Sequence, residues 1–319
     1  MMEISDVQAL AENIRAETAK AITGQSDMID LMLTALFARG HILLEGPPGT
    51  AKTLTARCFA AALGLDYGRI QFTPDLMPGD IIGSNIYNLQ TGTFTQTKGP
   101  VFCDLLLADE INRTPPKTQA ALLEAMQERS VTFDGETHRL SDRFTVVATQ
   151  NPIEHQGVYP LPEAQLDRFL FKHVLAYPDA AEERAIVLAH GGGATSQGPQ
   201  DYGITAQADA AKLSEAMETV ERVTLVDEVA DYIVRLVRAT RESPDIGIGA
   251  SPRSGAMLAR GARARAVLEG RDYVIPDDVK RLAVPALRHR VTLSPTAQID
   301  ARDIETIVAD LVEETEAPR

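Results

Sequence analysis

A chain of 319 residues with 44% hydrophobic and 24% charged residues reads as a globular protein, large enough for one big domain or two unequal ones. Its formal charge of −14 argues against non-specific nucleic-acid binding, which depends on neutralising phosphates. No apolar run approaches the roughly 20 residues that span a bilayer. The opening residues mix acids and bases and lack a signal core, and the only cysteines are Cys58 and Cys103. A cytoplasmic protein with two inert core thiols is expected.

Val7, Leu10, Ala11 and Ile14 share one face of a helix predicted over 5–20, capped by Ser5 or Asp6. Residues 22–25 break it, and a second helix is predicted over 26–38. Gly24-Gln25, just ahead of the next strand, stands where a base contact would be made, although such a pair is also an ordinary turn.

Residues 41–53, HILLEGPPGTAKT, organise the rest of the chain. Ile42, Leu43 and Leu44 read as a strand buried on both faces. Gly46, Pro47, Pro48, Gly49 and Thr50 break it, and Lys52-Thr53 opens a helix through Leu54 to Leu63. Strand, tight loop and helix in that order aim backbone N–H groups and a helix N-terminus at one point, where a chain of phosphates can accept. Lys52 would supply charge at the β/γ-phosphates and Thr53 a hydroxyl for Mg²⁺. The strict pattern has glycine where this chain has Ala51. Its methyl group crowds the loop if φ is positive there and costs little if the residue is helical.

A second strand is predicted over 69–72. Residues 73–98 form an excursion rich in proline and glycine, with a hairpin over 82–89 and 93–97. Residues 104–110 form a buried strand that ends in Asp109-Glu110, beside the phosphate-loop strand. There Asp109 can hold Mg²⁺ and Glu110 can polarise an attacking water. A helix over 114–129 begins with Pro115 and Pro116, and Asp134-Gly135 marks a hairpin over 131–140. A strand over 144–149 leads to Asn151, whose amide can bond a γ-phosphate, and a fifth strand covers 169–174. Beyond residue 177 helical patterns recur at 180–189, 206–220, 226–240, 254–269 and 276–288, with a weaker one at 301–313 and a flexible linker over 191–202. Arginines and lysines crowd residues 253–290, a basic patch suited to an acidic neighbouring subunit. The reading is α/β with a five-stranded parallel sheet over 1–176, then an all-α domain over 177–319.

GPPGTAKT at 46–53, LLLADEINRTPPKTQAALLEAMQE at 105–128, ATQNP at 148–152 and YPLPEAQLDRF at 159–169 together resemble the AAA+ ATPases and, among them, the MoxR family. The resemblance covers nearly the whole chain, and alanine before the loop lysine is familiar in that family. It implies a P-loop AAA+ domain with helices on both faces of the sheet, an insert at 74–98, a second insert at 131–140 and a helical lid. It implies ATP/ADP and Mg²⁺ as ligands. Gly24, Gln25 and the loop from Gly46 to Leu54 would hold the nucleotide, and Thr53 and Asp109 the metal. Lys52, Glu110, Asn151, Arg168 as an arginine finger and Arg253 on the lid would be catalytic. On the residues alone, Arg168 reads instead as a salt-bridge partner of Glu163 or Asp167. The family further implies a hexameric ring that remodels protein clients with a partner bearing a von Willebrand factor A domain. A helicase-like or chelatase-like motor and an ATP-gated scaffold are the alternatives.

Overall fold

The computed structural model describes residues 2–88, 93–152, 158–190 and 198–318. Helices α1 (Ile4–Ala19) and α2 (Ser26–Phe37) precede β1 (Ile42–Glu45), α3 (Lys52–Leu63) and β2 (Tyr67–Gln71). A short α4 (Pro78–Ile82) and the pair β3 (Gly83–Asn88) and β4 (Thr93–Lys98) come before β5 (Leu105–Asp109). Next come α5 (Pro116–Glu128), β6 (Ser130–Phe133), β7 (Glu136–Arg139), β8 (Thr145–Gln150), α6 (Glu163–Leu166) and β9 (Phe171–Val174). The helical remainder comprises α7 (Ala180–His190), α8 (Ala210–Glu221), α9 (Asp227–Glu242), β10 (Ile246–Ile248), α10 (Pro252–Leu268) and α11 (Pro276–Leu287). It ends with β11 (Thr292–Leu293), α12 (Pro295–Ile299) and α13 (Ile304–Glu314).

Five parallel strands form the central sheet in the order β2-β5-β8-β1-β9. The acid-ending strand β5 is therefore not beside β1, as the sequence reading had it. β8 lies between them and brings its own carboxyl end into the site. Strand residues alternate between faces, as a period of two requires. Ile42, Leu44, Leu105, Leu107 and Val147 join one apolar cluster, with α1, α2, α3 and the helices from α8 onward. Leu43, Leu106, Ala108, Val146 and Ala148 join a second, with α4, α5 and β6. One core thus runs from the sheet into the helical region without a break, while the other face carries the two hairpins.

The hairpins obey their turn chemistry. Asp134 and Gly135 both have positive φ, at 51° and 81°, the geometry of a type I′ turn. β3 and β4 pair antiparallel as expected, after a helical turn; the turn predicted over 90–92 lies outside the described residues. His138 of β7 joins the hairpins. Its ring stacks on Phe133 at 4.5 Å, meets Phe102 edge-on, and its Nε2 lies 3.1 Å from Gln96 Nε2.

Other expectations need correction. α1 has Glu3 at its N-cap with no side-chain cap bond, so neither Ser5 nor Asp6 caps it. α8 starts at Ala210 rather than 206 because the Asp209 carboxylate accepts from the Lys212 N–H at 2.8 Å. α13 is no weak helix: Asp303 caps it, and Ile307, Val308 and Val312 are buried. The strands β10 and β11 carried no strong sequence signal. Of the expected linker, 191–197 lie outside the described residues, and Pro199–Tyr202 form a 3-10 turn. Both cysteines are buried, which pushes the Cys58 thiol up to about 11 and Cys103 up to about 12. Among the described residues, no helix is long and apolar enough to cross a membrane.

Candidate functional site

The loop after β1 turns on two positive φ angles, 84° at Gly49 and 58° at Ala51. Ala51 is therefore in the left-handed region, where a side chain costs about 1 kcal/mol. It stands immediately before Lys52, the first residue of α3. The Lys52 Nζ donates to Gly46 O at 2.6 Å and Pro47 O at 2.9 Å, which folds the charge over the loop. Burial lowers the Lys52 pKa, and the carboxylates of Asp109 and Glu110 pull it back up.

Those carboxylates come from the end of β5. Asp109 is 7% exposed, and its Oδ2 accepts from Thr53 Oγ1 at 3.1 Å and from Arg69 Nη2 at 2.8 Å. Its Oδ1 accepts from Thr149 Oγ1 at 2.7 Å, and the same hydroxyl accepts from the Glu110 N–H at 2.9 Å. Glu110 has φ of 57°, a strained backbone of the kind found at functional sites and held here by Thr149. Its Oε2 accepts from Gln71 Nε2 at 2.6 Å and lies 3.3 Å from Arg113. Asn151, at the end of β8, is buried, and its carbonyl accepts from Asn112 Nδ2.

Together these elements line one cavity of about 480 Å³. It takes in Pro48 through Leu54, Asp109, Glu110 and Asn151 from the expected set. It also takes in Arg69, Gln71 and Thr149, which the sequence reading missed. Arg69 and Gln71 stand at alternate positions of β2 and would have been candidates had the strand order been known. Gly46 and Pro47 serve through their carbonyls. Gly24 and Gln25 are not on this wall. Gly24, with φ of 75°, abuts α7, where an added Cβ would collide with the Glu182 carboxylate.

Arg168 and Arg253 lie elsewhere. They line a separate cavity of about 290 Å³ with Arg39, Arg129, Arg260 and His41. Arg129 Nη2 and Arg260 Nη2 both donate to Arg39 O, at 2.8 and 3.0 Å. Burial, and then the neighbouring Arg39 guanidinium, hold both below the usual arginine range. Arg168 Nη1 donates to Ala164 O at 2.9 Å, and its Nε is buried with no hydrogen-bond partner among the described residues. Glu163 instead accepts from Thr292, and Asp167 from Arg290, so no ion pair of Arg168 with either acid is seen among the described residues. Most of the basic patch is likewise engaged inside the chain: Arg271 with Asp278, Arg281 with Asp27, Arg288 with Glu305 and Arg290 with Asp167.

Comparisons with known proteins bear on the family and the fold. Residues 41–171 match the family model "ATPase family associated with various cellular activities (AAA)", and residues 238–311 match an AAA lid domain. The chaperone MoxR1 of Mycobacterium tuberculosis is 44% identical over 313 residues, covering 95% of this chain and 81% of its own. This chain belongs to the MoxR family of AAA ATPases. The protein MoxR of Methylorubrum extorquens is 33% identical, covering 97% of this chain and 94% of its own. A crystal structure of a Cytophaga hutchinsonii protein proposed to be an ATPase superposes with a TM-score of 0.90 at 38% identity, covering 99% of this chain and 97% of that one. The family sets the expected ligand as a nucleotide and names the segment 238–311 a lid.

Proposed function

We propose that this MoxR-family protein hydrolyses ATP with Mg²⁺ in a closed ring of identical copies, six by family resemblance, and uses the turnover to remodel client protein complexes. A partner with a von Willebrand factor A domain would present the clients. One observation carries the reading: the loop, Asp109, Glu110 and Asn151 converge on a single cavity, while Arg168 and Arg253 share a different one. A site complete but for its arginines, on a chain that exposes arginines elsewhere, suits head-to-tail assembly.

In this reading Lys52 leaves the Gly46 and Pro47 carbonyls for the β/γ-phosphates, and the loop N–H groups donate to the remaining phosphate oxygens. Glu110 takes the proton of the attacking water, for which it must leave Gln71. Asn151 orients that water or the γ-phosphate. Arg168 and Arg253 of the neighbouring copy meet the charge that develops on the transferred phosphoryl group. The Thr53 hydroxyl and Asp109 carboxylate, 3.1 Å apart, are hard oxygen donors and few, which fits an ion that keeps most of its waters. Arg69 shares the same carboxylate oxygen and would have to yield. Thr53 and Asp109 would hold Mg²⁺, which would supply positive charge against the phosphates.

The test is the ATPase rate per subunit against protein concentration, with Mg²⁺. A rate that rises with concentration to a plateau supports a shared site. A rate that is flat while the protein is monomeric, or no turnover at any concentration with clients and partner present, rejects it.

A further inference from the structure

The segment that carries Arg168 is held from two sides: Leu170 N–H donates to His41 O at 2.8 Å and Phe169 is buried in the core on the sheet, while the lid grips the same residues through Arg290. Residue Arg290, between α11 and β11, has a side chain only 1% exposed, and its guanidinium makes four bonds to residues 167–170 beside two within the lid, to Ala286 O and Met257 Sδ. Nε donates to Asp167 Oδ1 at 2.8 Å, Nη1 to Leu170 O at 3.1 Å, and Nη2 to Asp167 O at 3.3 Å and Phe169 O at 2.5 Å. Two further contacts run the same way. His289 Nε2 lies 3.0 Å from Phe169 O, and Thr292 Oγ1 donates to Glu163 Oε1 at 2.8 Å. The second oxygen of Asp167 faces Arg253 Nε at 3.9 Å. One carboxylate therefore stands between a buried arginine of the lid and the exposed arginine at the start of α10, with Arg168 as its immediate neighbour in the chain.

A buried guanidinium with this many carbonyl acceptors is a rigid joint. Its planar fork matches several acceptors at once, and no other side chain replaces it. Breaking one partner leaves a charge or several carbonyls unpaired in the interior, which is strongly destabilising. The segment 167–170 is thereby tied to the lid as well as to the sheet, so a displacement of the lid acts on it directly.

We infer that Arg290 and Asp167 are positioning residues that lock Arg168 and Arg253 into one rigid block, so that the lid sets where both arginines are presented. This rests on the reading that Arg168 acts on a neighbour's nucleotide. Neither positioning residue touches substrate; each acts through the arginines it holds.

The experiment uses full-length Arg290→Lys and Asp167→Asn, with Arg168→Ala and Lys52→Ala as references. Arg290→Lys keeps the charge but cannot span the carbonyls, and a shift of about 1 Å at Arg168 is expected to lower kcat on the order of 100-fold. KM for ATP and the assembled state should not change, because the loop cavity is untouched. Asp167→Asn should show the same split more mildly; it decides the matter if Arg290→Lys fails to fold. Each variant is then mixed with Lys52→Ala, whose own loop is dead but whose arginine block is intact. Recovery of activity in mixtures of Arg290→Lys or Asp167→Asn with Lys52→Ala supports the inference. If Arg168→Ala with Lys52→Ala recovers nothing, the shared-site reading itself fails. If that control recovers while the folded variants keep wild-type kcat, raise KM, or are not rescued, the positioning role is overturned.

Discussion

The two cavities of this chain are built on opposite electrostatic plans. The loop cavity holds one lysine against Asp109 and Glu110, with Arg69 bound to Asp109, so its charges are largely answered within the chain. The other gathers five arginines round 290 Å³, with His41 the only other titratable residue on its wall among the described residues, although Arg39 is paired from outside the wall with Glu221 at 2.9 Å and Arg253 faces Asp167 at 3.9 Å. A cavity whose charges are internally balanced can wait for its ligand. One lined by cations with no acid on its wall attracts an anion. In the proposed reading the two plans complement each other between copies of the chain.

The largest effect should come from emptying the arginine side. Arg168→Ala should lower kcat about 1,000-fold or more while nucleotide affinity holds, because a finger in trans acts on the transition state. Nucleotide affinity lost along with turnover would mean that Arg168 serves its own loop and would break the comparison. On the loop side, Glu110→Gln should lower kcat on the order of 100-fold or more with ATP still bound, as expected for a missing general base. Tight binding of ATP without turnover, measured by calorimetry and single-turnover assay, checks it.

Gln71→Ala sharpens the balance within the loop cavity. It frees Glu110 from its 2.6 Å bond. Since a bond to a charged group is worth about 1.5–3 kcal/mol, the unstimulated rate should rise by about 10- to 100-fold. A fall would show that Gln71 orients the base rather than restraining it.

His41 links the arginine cavity to the sheet, its Nδ1 accepting from Val146 N–H and its Nε2 donating to Met126 O. Burial, and to a lesser degree the charges of Arg129 and Arg260, lower its pKa to about 3. In the unfolded chain it takes a proton near 6.5. Its contribution is therefore complete above pH 6.5 and is lost as pH falls from there toward 3, at up to about 1.4 kcal/mol per unit. Urea unfolding between pH 7 and 4 should show a slope that His41→Gln flattens, even though that variant is less stable at pH 7. The smallest effect belongs to Ala51→Gly. Relief of the left-handed backbone, about 1 kcal/mol, is offset by the entropy of glycine, about 0.4–1 kcal/mol, so the net change in stability should be under about 1 kcal/mol.

Local chemistry made much of this legible. The apolar run Ile42–Leu44, the glycine-proline break and the Lys52-Thr53 helix start are contiguous, so one stretch of chain contains both the strand and its purpose. Asp134-Gly135 specified its hairpin for the same reason. What stayed hidden depends on which strands become neighbours. Thr149 reads as one more β-branched residue until β8 lies between β5 and β1. Arg69 and Gln71 read as a polar strand edge until β2 pairs with β5. The destination of Arg290 was less legible still. An arginine in a basic run looks solvated or destined for a partner, and only the packing of α11 against β9 turns it inward. A single residue, Asp209, shifted the start of α8 because a cap depends on one side-chain geometry.

His138 fastens the two hairpins into one body, and that body stands on α5, which begins six residues after Glu110. The path from Glu110 to the hairpins runs through a 3-10 turn over Ile111–Arg113 and then along α5. In the proposed reading, a load that a client puts on the hairpins would reach Glu110 along this path, and the rate of hydrolysis would register it.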